Sequence, residues 1–119
     1  MEIKYHHFSY IDSTNAFAKR ESKRFSDDYW TAITADTQTD GRGQNDTDWI
    51  DFPKGSLLMT IISPNIKWDN SKIMNAHMSA SLGIKNFLVD NGFDAKLKWP
   101  NDIYIGSGKV AGILSEAIW

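Results

Sequence analysis

The sequence predicts a mixed α/β fold, a β-sheet with helices packed against it. Three observations carry that expectation. Short segments rich in β-branched and aromatic residues recur along the chain. Apolar residues spaced by three and four run from Ile73 to Leu88. Gly, Asn, Asp and Pro signals mark the boundaries between these segments. The expected order is β-α-β-loop-β-α-β-β-β, in a single domain covering residues 1–119.

Residues 3–10 (IKYHHFSY) are short and aromatic-rich and form the expected opening strand. Asp12, Ser13 and Thr14 follow as candidate N-caps, whose side-chain oxygens can accept unpaired amide hydrogens. The helix they start is expected to reach about Phe25, with Phe17 and Ala18 inward and Lys19, Arg20, Glu21, Lys23 and Arg24 outward. Residues 30–37 (WTAITADT) read as a strand, and 38–54 (QTDGRGQNDTDWIDFPK) as a long loop of the kind that is usually functional. Residues 56–63 (SLLMTIIS) are almost continuously apolar, the pattern of a strand buried on both faces. The clearest helix places Ile73, Met74, His77, Ala80, Ile84, Phe87 and Leu88 on one face, starting at Asp69–Ser71 and stopping at Asn91-Gly92. Strands are then expected over 95–99, 103–105 and 109–118, the last two joined by Gly106-Ser107-Gly108, with Gly112 inside the final strand.

Composition narrows the function classes. With 41% hydrophobic and 24% charged residues in 119, the chain resembles ordinary folded domains and can bury a core of its own. There is no cysteine, which excludes disulfides and thiolate chemistry. A net charge of −2 with no basic stripe argues against a nucleic-acid partner. The longest strongly apolar stretch, Leu57 to Ile62, falls far short of the roughly 20 residues that span a bilayer. The first residues lack a secretory apolar core, so the expected setting is cytoplasmic, away from membranes.

Three segments carry chemistry. Gly41-Arg42-Gly43 sets a guanidinium between residues that tolerate positive φ and close backbone approach, suited to gripping a carboxylate or phosphate. In Lys98-Trp99-Pro100-Asn101-Asp102 the proline must break the strand, projecting Lys98, Asn101 and Asp102 from a sheet end. In Gly108-Lys109-Val110-Ala111-Gly112 a lysine follows a tight turn, and an interior glycine marks either close approach of a ligand or a bulge. Each segment alone also reads as ordinary turn chemistry. Together they suit a phosphorylated anion and developing negative charge, as nucleotidyl transfer requires. His6 and His7 are adjacent on a strand and point to opposite faces, a poor metal pair, while His77 reads as a hydrogen-bonded core histidine.

Four motifs in order, DSTN (12–15), QTDGRGQ (38–44) with Trp49, KWPNDIYI (98–105) and GKVAGIL (108–114), resemble those of biotin–protein ligases. The resemblance covers nearly all of the chain and implies the α/β catalytic fold of biotin and lipoate ligases, incomplete at the C-terminus. It implies an enzyme that uses ATP and Mg2+ to convert biotin to biotinyl-adenylate, then acylates a lysine of a biotin carboxyl carrier protein. Matched position by position, Ser13, Thr14, Asn15 and Gln38 resemble residues that bind biotin, and Gly41 and Gly112 its backbone contacts. Arg42 and Lys109 resemble the cations that hold carboxylate and phosphate, and Gly43 and Trp49 belong to the loop over the adenylate. Lys98, Asn101 and Asp102 resemble the polar cluster for nucleotide, magnesium and acceptor lysine, with Asp102 the candidate magnesium ligand. The chain departs from the family in Asp46 and Asp48, acidic where many members are basic, which should weaken retention of an anionic adenylate. The 119 residues alone are expected to be inactive or weakly active, and a repressor role, which would need a winged-helix region before the motifs, is not expected. A lipoate-type ligase and a catalytically silent binding module are the alternatives, and an unpaired edge at 109–119 would permit a homodimer.

Overall fold

The computed structural model describes residues 2–25, 28–52, 55–64 and 69–117. The chain divides into two compact units, Met1–Lys67 and Trp68–Trp119. Pro53 and Lys54 of the expected loop, and Ile118 and Trp119 of the expected last strand, lie outside the described residues. No helix among the described residues is long and apolar enough to cross a membrane.

The first unit is built on a three-stranded sheet ordered β1 (Ile3–Ile11), β2 (Trp30–Gln38), β3 (Leu58–Ile62). β1 and β2 run parallel, so the chain must cross over between them, and α1 (Thr14–Arg20) makes that crossing. Central β2 contributes Ala32, Ile33 and Ala35 to the unit's core, which Ile11 of β1, Ala18 of α1 and Leu58 of β3 complete among the described residues. Phe8 of β1 packs against Phe17 of α1 with the rings tilted and 4.9 Å between centroids, fixing the helix on the sheet.

α1 is shorter than the sequence suggests. It ends at a Glu21 cap, and Ser22–Arg24 tighten into a 3-10 turn before Phe25 returns to extended backbone. The cap amide still bonds the Phe17 carbonyl, so the chain leaves the helix with that carbonyl satisfied. β3 also differs from expectation: only Leu58 of its residues is buried, while Met59 and Ile61 are exposed. It pairs antiparallel with β2 at the sheet edge, so its apolar run has one covered face instead of two.

The second unit pairs α2 (Asn70–Asp90) with an antiparallel sheet of β4 (Ala95–Lys98), β5 (Asp102–Ile105) and β6 (Gly108–Gly112). Asp69 caps α2 by accepting from the Lys72 amide at 2.8 Å. Asp69→Ala should therefore lower the unfolding free energy by about 1 kcal/mol, measurable by denaturant titration. The helix packs on β4 and β5, where Ala95 and Ile103 are buried. The residues it buries are His77 and Ser81, whereas Met74, Ile84 and Phe87 of the expected apolar stripe are exposed. A polar requirement explains this rotation: the Pro100 carbonyl accepts from the Ser81 hydroxyl at 3.2 Å and from the His77 ring at 3.2 Å. β6 stops at Gly112, and residues 113–117 form no strand; the Ile113 amide still donates to the Asn101 carbonyl at 3.0 Å, one step further along the β5–β6 pairing.

Candidate functional site

In the first unit the parallel register is what assembles the site. Ile11 lies opposite Gln38, and the pairing continues past both strand ends through Thr39 N–H to Ile11 O at 2.9 Å and Asp40 N–H to Asp12 O at 2.8 Å. Two motifs far apart in sequence are thereby zipped together at the start of α1. Ser13 caps the helix by accepting from the Ala16 amide at 3.2 Å. Thr14 donates its amide and its hydroxyl to Gln38 Oε1, at 2.9 and 3.1 Å. That occupies the Gln38 carbonyl and leaves its NH2 as the group to donate to a ligand. The Thr60 hydroxyl of β3 faces both Thr14 Oγ1, at 2.7 Å, and Asn15 Oδ1.

Asp12 opens this turn, and Arg20 clamps it with two bonds of 2.9 and 3.2 Å. The hydrogen bond from Arg20 holds the Asp12 carboxyl below the usual aspartate range, against the smaller opposing effect of desolvation. A lowered folded-state value means stability that is complete above about pH 4 and lost as pH falls through Asp12's own titration. Asp12→Asn should remove that part of the acid slope in urea midpoints measured from neutral pH downward. The change will be small, because both side chains are largely in solvent.

The loop after β2 is pinched shut. The Trp49 amide donates to Gly41 O at 2.9 Å and the Gly43 amide to Thr47 O at 2.7 Å, with a 3-10 turn at Gln44–Asp46 between them. The residues with positive φ are Asn45 and Asp46, at 56° and 57°, and not the glycines of the GRG motif. Gly41 is required for close approach instead: a Cβ there would lie 2.7 Å from Trp49 O and 2.8 Å from Gln38 Nε2. Arg42 pairs with Asp40 at 3.0 Å and Asp48 at 2.9 Å, so the expected anion-binding cation is already neutralised by its own loop. A cleft of about 330 Å³ is lined by Gln38, Asp40, Gly41, Asp48, Trp49 and Asp51.

In the second unit the register again gathers the expected residues. Lys98 lies opposite Asp102, and Asp102 opposite Gly112, in one row across the three strands. Unbroken pairing would then set Lys109 opposite Ile105, on the face that carries buried Ile103. A bulge shifts the register between Ile103 and Tyr104, leaving Val110 as the extra residue and Lys109 opposite Tyr104. Lys109 is thereby turned onto the Asp102 face, where its Nζ meets Asp102 Oδ1 at 2.9 Å. Lys98 reaches over the Tyr104 ring on the same face, 5.6 Å from its centroid. Asn101 sits half-buried in the turn after the cis Trp99-Pro100 bond.

Sequence reasoning missed Thr60, the aspartates on Arg42, and the partners of His77. Thr60 had a signal, being the polar residue within an apolar strand. His77 is buried and hydrogen-bonded through both ring nitrogens, as the sequence suggested. His7 bonds Thr34 at 2.8 Å and approaches Asp36 at 3.2 Å, and the described residues contain no group of three or more His, Cys, Asp or Glu that could hold a metal ion.

Comparison with known proteins gives a consistent result. The profile of the Biotin/lipoate A/B protein ligase family matches residues 7–118. The chain is 34% identical over 111 residues to the biotin–[acetyl-CoA-carboxylase] ligase of Paracoccus denitrificans, covering 89% of this chain and 44% of that protein. Its fold is similar to the biotin protein ligase of Aquifex aeolicus solved with biotin and ATP, with a TM-score of 0.76 and 27% identity over 96% of this chain and 47% of that one. The Leishmania major biotin protein ligase solved with biotinyl-5-AMP aligns with a TM-score of 0.69 and 26% identity, covering 97% of this chain and 52% of that one. The chain thus spans about half the length of each of these three relatives. With its motif order, its mixed α+β fold and a family profile running through nearly all of its residues, the chain belongs to the biotin/lipoate A/B protein ligase family.

Proposed function

We propose that this protein activates biotin with ATP and transfers it to a lysine of a biotin carboxyl carrier protein. In the first step a biotin carboxylate oxygen attacks the α-phosphorus of ATP, the bond to the β-phosphate breaks, and pyrophosphate leaves. In the second step the neutral amine of the acceptor lysine attacks the acyl carbonyl, AMP departs, and the amine proton passes to a base. The observation that carries this reading is the bulge of β6, which puts Lys109 beside Asp102 and on the face of Lys98. A cation there offsets charge developing on the α-phosphate, and Asp102 is the carboxylate that can take the lysine proton or meet magnesium. Magnesium is read as part of the ATP substrate, with Asp102 the carboxylate that can meet it.

Ser13, Thr14, Asn15 and Gln38 take the biotin end, where the free NH2 of Gln38 suits a ligand carbonyl. Gly41 and Gly112 offer backbone to biotin, Trp49 walls the cleft with Gly43 in the same loop, and Arg42 takes the anion once freed from its aspartates. Incubation of the product of the complete reading frame with biotin, MgATP and a carrier domain should biotinylate one carrier lysine, detected by mass spectrometry. A carrier left unlabelled, with no adenylate in the mixture, would defeat this reading.

A further inference from the structure

His77 has no part in the chemistry above, yet it is buried and engaged at both ring nitrogens. Its Nε2 lies 3.2 Å from the Pro100 carbonyl oxygen, and that oxygen can only accept. Nε2 must therefore carry a proton. The same N–H lies 3.0 Å from the Asn101 side chain, so the amide atom facing it must be the acceptor, Oδ1. The result holds in either charge state of the ring: Ser115 Oγ, 2.5 Å from Nδ1, donates to a bare nitrogen or accepts from a protonated one. The Asn101 backbone carbonyl is also committed, to the Ile113 amide at 3.0 Å. Both oxygens of Asn101 are thus held within the second unit.

We infer that His77 is a positioning residue: it fixes the Asn101 amide with its oxygen toward α2, so that Asn101 meets a ligand as an NH2 donor. Asn101 then contacts an acceptor, such as a phosphate oxygen of ATP, and does not ligate magnesium through Oδ1. The step to ATP rests on the ligase reading, whereas the orientation of the amide does not.

Two sets of measurements test the inference. In the unliganded chain, long-range proton–nitrogen NMR should show His77 protonated at Nε2, with no cross-relaxation between the Asn101 NH2 protons and the ring. A bare Nε2, or strong cross-relaxation of that kind, would overturn the inference without reference to any ligand. In biotin-dependent adenylation, His77→Gln, whose NH2 can replace the Nε2 donor, should stay within about threefold of wild type in kcat/KM for ATP. His77→Phe should lose about tenfold or more, with KM for biotin unchanged. Asn101→Asp keeps the acceptor toward His77 but replaces the donor with a carboxylate oxygen, and should lose at least as much. If Asn101→Asp matched wild type, or His77→Phe matched His77→Gln, the inference would fail while the ligase reading stood. Wild type that made no adenylate would defeat the ligase reading and Asn101's contact with ATP with it, and the NMR result would then decide the orientation of the amide alone.

Discussion

Lys109→Ala should reduce biotin-dependent adenylate formation by about two to three orders of magnitude, the scale of losing a preorganised group at a developing charge. The lysine is held on its face by an ion pair of 2.9 Å and by the bulge that re-aims it. The pair itself adds little to stability, since both partners are partly exposed. The variant should therefore melt close to wild type, which separates a chemical defect from a folding one. Lys109→Arg should not restore the rate, because a planar fork cannot replace a compact ammonium against one oxygen. Deleting Val110 is a sharper control. It removes the extra residue but keeps Lys109 opposite Tyr104, now in an unbroken ladder on the Asp102 face, so it should retain most of the wild-type rate, unlike the alanine variant. Stopped-time assays of biotinyl-adenylate, with a circular dichroism melt for each variant, check all three.

Gly41→Ala carries the second large effect, on biotin affinity. The new Cβ would sit 2.7 Å from the Trp49 carbonyl and 2.8 Å from Gln38 Nε2. Moving Trp49 strains the hydrogen bond its amide donates to the Gly41 carbonyl, and moving Gln38 breaks the two hydrogen bonds it accepts from Thr14. Either displacement removes hydrogen bonds that shape the cleft, so the dissociation constant for biotin should rise by about tenfold or more. Gly43→Ala is the contrast. Its Cβ would meet chiefly the Thr47 hydroxyl at 2.8 Å, and rotating that group away gives up only its solvent-exposed bond to the Gln44 carbonyl. Calorimetry with biotin should find Gly43→Ala near wild type and Gly41→Ala much weaker. Equal affinity for the two would mean that Gly41 packing does not shape the biotin site.

The order of elements was legible in the sequence because strand propensity and helical spacing are local signals. The face of α2 was not, since the pull of the Pro100 carbonyl on His77 and Ser81 depends on a turn about twenty residues away. The site residues could be named because DSTN, QTDGRGQ, KWPNDIYI and GKVAGIL stand in an order that resembles biotin–protein ligases, although each segment alone also reads as an ordinary turn. Their assembly could not be read. It depends on the Ile11–Gln38 register in one unit and on the Val110 bulge in the other. The acidic loop shows the same limit. Sequence marked Asp46 and Asp48 as a general weakness for anions, whereas the structure gives Asp48 a specific part: with Asp40, it neutralises Arg42. An incoming anion must displace those carboxylates, at modest cost because all three groups are exposed.

The central claim is that this protein adenylates a biotin carboxylate. Biotin-dependent exchange of labelled pyrophosphate into ATP tests that step alone, without a carrier protein. Measured on the product of the complete reading frame, exchange should appear with biotin and magnesium, stay at background with lipoate, and fall to background in Lys109→Ala. The 119 residues by themselves should exchange weakly or not at all. Exchange driven by lipoate instead, or none with either acid, would contradict the account.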